Sequence, residues 1–225
     1  VLLLLALRFS RNQGTQTCKD VVVELNHVNG IEYIHRNEVR TFILENNDPI
    51  VGKKISTLDL DSIEKSLANY PFIKKAEVYT DLDSRLHVEI EQMTPVLRVH
   101  PDQKSPYYIS KTGRTTPLSK YYSAHVIVAT GHITEAMDKK LYTLTRYVND
   151  SKLWNAQIEQ IFVTRDQEII LIPKLGQFTI ILGDVDQLES KFNKLETFFR
   201  KGLNKTGWDK YKSLNLKFNE LIICK

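Results

Sequence analysis

The sequence predicts an α+β chain in two parts, a strand–helix–helix–strand–strand module near residues 18–98 and a β-rich domain with two helices over 99–225. Three observations predict it. Apolar and polar residues alternate strictly in residues 76–79 and 86–91, the mark of half-buried strands. Two short helical segments with their own start and stop signals precede those strands. Beyond Thr94-Pro95, which marks a boundary, strand candidates become frequent and two longer segments carry apolar residues at helical spacing.

In chain order, Val21-Val22-Val23-Glu24-Leu25 is rich in β-branched residues and predicts a strand, followed by a turn at Asn29-Gly30. Asn37 is placed to cap a helix through Val39, Phe42 and Ile43 that ends before Asp48-Pro49. A second helix starts near Asp61, with Glu64 three positions on in a capping-box pattern and Ile63 and Leu67 on one face. Tyr70-Pro71-Phe72 stops it, because the residue before a proline avoids the helical region. The next strand turns Ala76 and Val78 inward, with Lys75, Glu77 and Tyr79 on a solvated face. A tight turn at residues 81–84 leads into Leu86, Val88 and Ile90. The result is a three-stranded sheet backed by two helices.

In the second part, Val96-Leu97-Arg98-Val99 opens the domain. Tyr107-Tyr108-Ile109 leads into a turn at Lys111-Thr112-Gly113-Arg114, and Val126-Ile127-Val128-Ala129 predicts a buried strand. A helix over 134–148 aligns Met137, Leu141, Leu144 and Val148. Strands follow at 158–163, 168–172 and 178–182. A second helix carries Leu188, Phe192, Leu195 and Phe199, and residues 214–223 read as one terminal strand.

Composition excludes several classes. With 42% hydrophobic and 26% charged residues and a mean hydropathy of -0.29, the chain buries too much apolar surface to be disordered. The net charge of +4 is spread among carboxylates, without the basic, aromatic-interleaved stripe of a nucleic-acid binder. Cys18 and Cys224 stand near opposite ends, outside any CxxC or cysteine–histidine cluster. They read as inert buried thiols, or as a disulfide in an oxidising compartment. The six histidines are dispersed, and no HExxH, GxSxG or phosphate-cradling glycine loop occurs. Asp59-Leu60-Asp61 is explained by its place at a helix start. No enzyme activity, metal or cofactor is expected.

Residues 1–17 begin with Val-Leu-Leu-Leu-Leu-Ala-Leu followed by Arg8 and Arg11. Seven apolar residues fall short of the roughly 20 needed to span a bilayer. The run reads as the end of a membrane anchor or of a signal-peptide apolar region, and the first is favoured because no small-x-small cleavage pattern follows. Arg8 and Arg11 weakly favour the cytoplasmic side.

Residues 52–98 resemble the POTRA domain of the FtsQ/DivIB family of bacterial division proteins. The resemblance rests on Gly52, Pro71-Phe72-Ile73, Ala76-Glu77-Val78 and Gln92-Met93-Thr94-Pro95-Val96. Gln92-Met93 departs from the family's usual Glu-Arg or Gln-Arg. The remainder is similar to the family's second domain through Tyr108-Ile109-Ser110-Lys111-Thr112-Gly113, Pro117-Leu118, Thr130-Gly131, Ile180-Ile181-Leu182-Gly183, Lys191, Lys194 and Leu195, and Leu214-Asn215-Leu216-Lys217-Phe218. Residues 157–161 and the closing Ile223-Cys224-Lys225 resemble the Bacteroidetes branch.

That resemblance implies a non-catalytic divisome component: a single inner-membrane span, a periplasmic body at the septum, and a role in regulating septal peptidoglycan synthesis. Its partners would be FtsB-like and FtsL-like proteins, bound when their strand joins the C-terminal sheet edge, with the POTRA face offered to other divisome proteins. On this sequence the implied contact strand carries Leu214, Leu216 and Phe218 on one face and Asn215 and Lys217 on the other. The family commonly has Arg-Tyr where Lys217-Phe218 stand, so a planar fork and a hydroxyl are missing. Leu214, Leu216, Lys217, Phe218, Trp208 and Tyr211 are the candidate partner-binding residues, the aromatics because such anchors dominate interfaces. Phe218 suits either a partner or the core, and Lys217 also suits edge protection. The alternative is a POTRA-type chaperone or secretion component handling exported or outer-membrane proteins, which would ordinarily carry tandem POTRA copies and a barrel.

Overall fold

A computed structural model describes residues 16–26, 31–203, 207–208, 210–219 and 221–225. The turn expected at Asn29-Gly30 and the apolar run of residues 1–7 lie outside the described residues. The chain divides into two units, Val1–Met93 with Ser119–Ser123, and Thr94–Leu118 with Ala124–Lys225. The division falls at Met93 rather than at residue 98, because the strand Pro95–Pro101 belongs wholly to the second sheet.

In the first unit, β1 (Asp20–Asn26) runs parallel to β3 (Arg85–Gln92), and β3 runs antiparallel to β2 (Ile73–Thr80), giving the order β1-β3-β2. Parallel pairing of β1 and β3 requires a crossover, and α1 (Arg36–Asn46) and α2 (Leu60–Ala68) fall within it. Val39 and Ile43 of α1 and Ile63 and Leu67 of α2 are buried with Val21, Val23, Leu86, Val88 and Ile90. Two expected caps move. The residue before α1 is His35, with no side-chain cap bond, so Asn37 lies inside the first turn. Asp59, not Asp61, caps α2 by accepting from the Ser62 amide at 3.0 Å. Glu64 is thereby free to reach β2, where its Oε1 accepts from the Val78 amide at 2.8 Å and covers an outward donor on the edge strand. Pro71-Phe72 ends α2 as expected. Phe72 is buried with φ of 65° and stacks on Tyr33 at 5.4 Å.

The second unit is one nine-stranded sheet with helices on one face. Its strands are β4 (Pro95–Pro101), β5 (Tyr107–Ser110), β6 (Thr115–Pro117), β7 (Ile127–Gly131), β8 (Ile158–Val163), β9 (Ile169–Pro173), β10 (Thr179–Gly183), β11 (Ser213–Asn215) and β12 (Ile223–Cys224), in the order β12-β11-β10-β9-β8-β7-β4-β5-β6. The helices are α3 (Glu135–Asp150), α4 (Lys152–Gln157) and α5 (Leu188–Phe198). The expected α+β class holds, with the six-residue α4 as an addition that Ser151 caps and Trp154 anchors. Leu97, Val99, Ala129, Ile161, Val163, Leu171, Ile180 and Leu182 share one core with Leu141, Leu144, Phe192 and Leu195 from the helices. Every strand residue in that core belongs to one side of the pleat.

The terminal strand expected over 214–223 is two short strands instead. Leu214 and Asn215 pair with Cys224 and Ile223, so the chain reverses between β11 and β12. The cause is local. The Asn215 side chain accepts from the Lys217 amide at 3.0 Å, an Asx turn that competes with the strand ladder and ends β11.

Candidate partner-binding site

The six candidate residues separate by burial. Leu214 and Leu216 are wholly buried and belong to the sheet–helix core, so neither offers a side chain to a partner. This corrects the expectation of a face shared by Leu214, Leu216 and Phe218. Phe218 lies past the Asx turn and is 46% exposed, its carbonyl accepting from Lys194 Nζ. Lys217 is exposed, its Nζ 2.6 Å from a Glu168 carboxylate oxygen and its stem across Gly183. Trp208 is half-buried against Phe199 and Phe178, with ring centroids 5.2 and 6.3 Å away. Tyr211 is also half-buried, 5.8 Å from Phe198.

The expected edge moves as well. β11 is flanked on both sides, by β10 in parallel and by β12 in antiparallel, so β12 is the edge strand at this end of the sheet. Ser213 and Lys225 exchange amide–carbonyl bonds at 3.1 and 3.0 Å. In an antiparallel ladder the next residue, Cys224, then points its amide and carbonyl away from β11. Its thiol turns toward the core, where burial raises its pKa and lowers its thiolate fraction. Cys18 and Cys224 are both free thiols, not a disulfide.

Beside this edge, the outer face of α5 and the C-terminal segment enclose a groove of about 920 Å³. Phe198, Leu221 and Ile222 supply its apolar wall, and Asn193, Lys194 and Lys201 are among its polar ones. Leu221 is 67% exposed and Ile223, just outside the groove, 40%. The groove exists because α5 buries only its inner stripe of Leu188, Phe192 and Leu195. Phe192 locks that stripe between Trp154 at 4.9 Å and Tyr147 at 5.0 Å. Lys191 is buried too, its Nζ donating to the Asp184 carbonyl at 2.8 Å and to Asp186 at 2.7 Å, which fixes the loop entering α5. Lys194, one turn on, has its pKa lowered by burial and by the Lys191 charge.

Leu221, Ile222, Phe198 and Lys201 were not among the residues chosen from sequence. The signal for the first two was present in the unbroken apolar run Leu221-Ile222-Ile223 beside exposed Phe218. The groove is lined by Lys194 and Lys201 against Glu189, so it presents a small excess of positive charge. Among the described residues, no three His, Cys, Asp or Glu are grouped to hold a metal ion. No helix among them is long and apolar enough to cross a membrane.

Comparison with known proteins agrees with this two-part organisation. Residues 16–91 match the family model of a POTRA-like domain, and residues 94–225 match the model "FtsQ/DivIB, C-terminal related". No curated protein matches the chain. Because the second model covers more than half of the sequence and follows the POTRA-like unit, the chain belongs to the FtsQ/DivIB family, a family of non-catalytic cell-division scaffolds.

Proposed function

We propose that the chain is a divisome scaffold that binds an FtsB-like and FtsL-like pair through the C-terminal end of its sheet, and through that pair helps regulate septal peptidoglycan synthesis. The observation that carries this reading is the α5 groove beside β12, with Phe218 and Leu221 exposed within four residues of one another. Exposed apolar residues grouped around a concave surface and rimmed by polar ones suit a protein partner. The partner strand joins the outer edge of β12, and its flanking apolar side chains enter the groove. The lysine excess favours acidic residues on the partner. In the same reading, residues 1–7 end a single membrane anchor, the described residues lie in the periplasm, and the first unit is a second surface for other divisome proteins.

The test is co-purification of the full chain with FtsB-like and FtsL-like proteins of the same organism, comparing wild type, Phe218→Asp and a chain lacking residues 221–225. A complex lost in both variants, with circular dichroism unchanged, supports the reading. A complex that survives in both moves the contact away from this end of the sheet. No complex with the folded wild type removes the partner assignment itself.

A further inference from the structure

A strand covered on one face alternates apolar and polar residues, whereas one covered on both faces is apolar throughout. β9 reads Ile169-Ile170-Leu171-Ile172 and β10 contains Ile180-Ile181-Leu182. The alternate residues Ile169, Leu171, Ile180 and Leu182 are fully buried under the helices. Ile170, Ile172 and Ile181 point to the other face of the sheet, away from α3, α4 and α5, and are partly exposed. Three of these seven apolar residues are therefore unexplained by the core.

The register places these residues in one line. His100 is opposite Thr130, Thr130 opposite Phe162, Phe162 opposite Ile170, Ile170 opposite Ile181, Ile181 opposite Asn215 and Asn215 opposite Ile223. Phe162 and Ile223 are 39% and 40% exposed. Ile170 is the middle of that seven-strand row, with apolar neighbours on both sides and polar Thr130 and Asn215 beyond them.

We propose that this face, opposite α3, α4 and α5, packs through its β8–β10 centre against the same face of a second copy of the chain, with a two-fold axis near Ile170. Three observations favour a second copy. The row is apolar over Phe162, Ile170 and Ile181 and polar next to them at Thr130 and Asn215, so a two-fold through Ile170 sets Phe162 against Ile181 and Thr130 against Asn215 of the second copy, a self-complementary arrangement. The charges beside the face are already engaged, Glu168 with Lys217 at 2.6 Å and Arg98 against the Tyr108 ring and hydroxyl, so a like face is not repelled. The size also fits. Seven strands about 4.8 Å apart and about five residues long give roughly 550 Å² of projected face per copy, near the lower range for a stable interface. The groove beside α5 lies on the helix side, so the dimer leaves it open.

Sedimentation velocity of the full chain across the micromolar range tests this, with Phe162→Glu and Ile170→Lys as variants and thermal unfolding run in parallel. The expected result is a wild-type mass that doubles with concentration and folded variants whose dimer weakens by about tenfold or more, as buried uncompensated charge requires. Two variants guard against loss of fold in one of them. A wild type that stays monomeric overturns the proposal. So does association that both folded variants retain, which would place it elsewhere, residues 1–7 included. If the variants lose an FtsB-like partner while the chain alone is monomeric, the face belongs to that partner and the dimer is wrong.

Discussion

Leu221→Ala and Leu216→Ala make the same chemical change five residues apart, on opposite sides of the division between contact and core. Leucine to alanine removes three carbons, worth about 2.4 kcal/mol at about 0.8 kcal/mol per buried methylene. Leu221 keeps 67% of its surface exposed, so about two-thirds of that sum, ~1.6 kcal/mol, is available only when a partner covers it. That corresponds to a Kd about 15-fold weaker for Leu221→Ala. The remaining third, ~0.8 kcal/mol, bounds the loss of folding stability. Leu216 is wholly buried, so its truncation costs about 2–5 kcal/mol of stability and removes no surface from the interface. Calorimetric titration with an FtsB-like segment and urea unfolding, on the same preparations, read both quantities. The reasoning fails if Leu221→Ala loses more stability than binding, or if its Kd moves less than about threefold in a folded protein. It fails equally if Leu216→Ala unfolds no more easily than Leu221→Ala.

Two further changes probe how the sheet and the α5 loop are held. Gly131 has φ of 102°, and a Cβ there would stand 2.2 Å from the Val163 carbonyl oxygen, so Gly131→Ala is expected to lower stability by about 2 kcal/mol or more in urea unfolding. A wild-type midpoint would show that β7 and β8 are spaced more loosely than this. The hydrogen bond from Lys140 holds the Asp184 carboxyl below its ordinary value of 3.8, outweighing partial burial. A folded-state pKa below the unfolded one adds stability above about pH 4, and that contribution is lost as pH falls through the folded value. Asp184→Asn should therefore cost about 0.5 kcal/mol at neutral pH, the scale of an exposed ion pair, and nothing once the wild-type carboxyl is protonated. A gap between the two midpoints that persists at the acid end refutes the electrostatic origin.

The sequence was most legible where one physical signal acted alone. The alternation of Leu86, Val88 and Ile90, and the spacing of Met137, Leu141, Leu144 and Val148, each name a buried face, and those residues are buried. Proline stopped α2 where the sequence said, because the restriction on the residue before it does not depend on tertiary context. Reading failed where two local signals competed. Asp59 and Asp61 are both able to cap α2, and only the structure shows that Asp59 does so while Glu64 serves β2. Ser151 and Trp154 signalled α4, but six residues are too few for periodicity to register. At the C-terminus, apolar and polar residues alternate from Leu214 to Phe218 as in a strand, and the Asx turn at Asn215 ends it. That break decides the candidate site. It sends Leu216 into the core and leaves Phe218, Leu221 and Ile223 outside, a split that no alternation rule applied to an unbroken strand yields.

The length of β12 bears on what a partner must supply. Two residues at the edge direct only the amide and carbonyl of Cys224 outward within the assigned strand. Two backbone hydrogen bonds at about 0.5–1.5 kcal/mol each come to ~1–3 kcal/mol, whereas micromolar affinity requires about 8 kcal/mol. Strand addition alone therefore falls several kcal/mol short, even before the cost of ordering the partner. The deficit has to come from apolar side chains settling into the α5 groove and from acidic groups meeting its lysines. In the proposed complex the edge strand sets the register while the groove supplies most of the affinity. There, partly buried Tyr147 and buried Trp154 and Phe192 act without touching a partner: they hold the inner stripe of α5 in place, and the outer stripe is the wall of the groove.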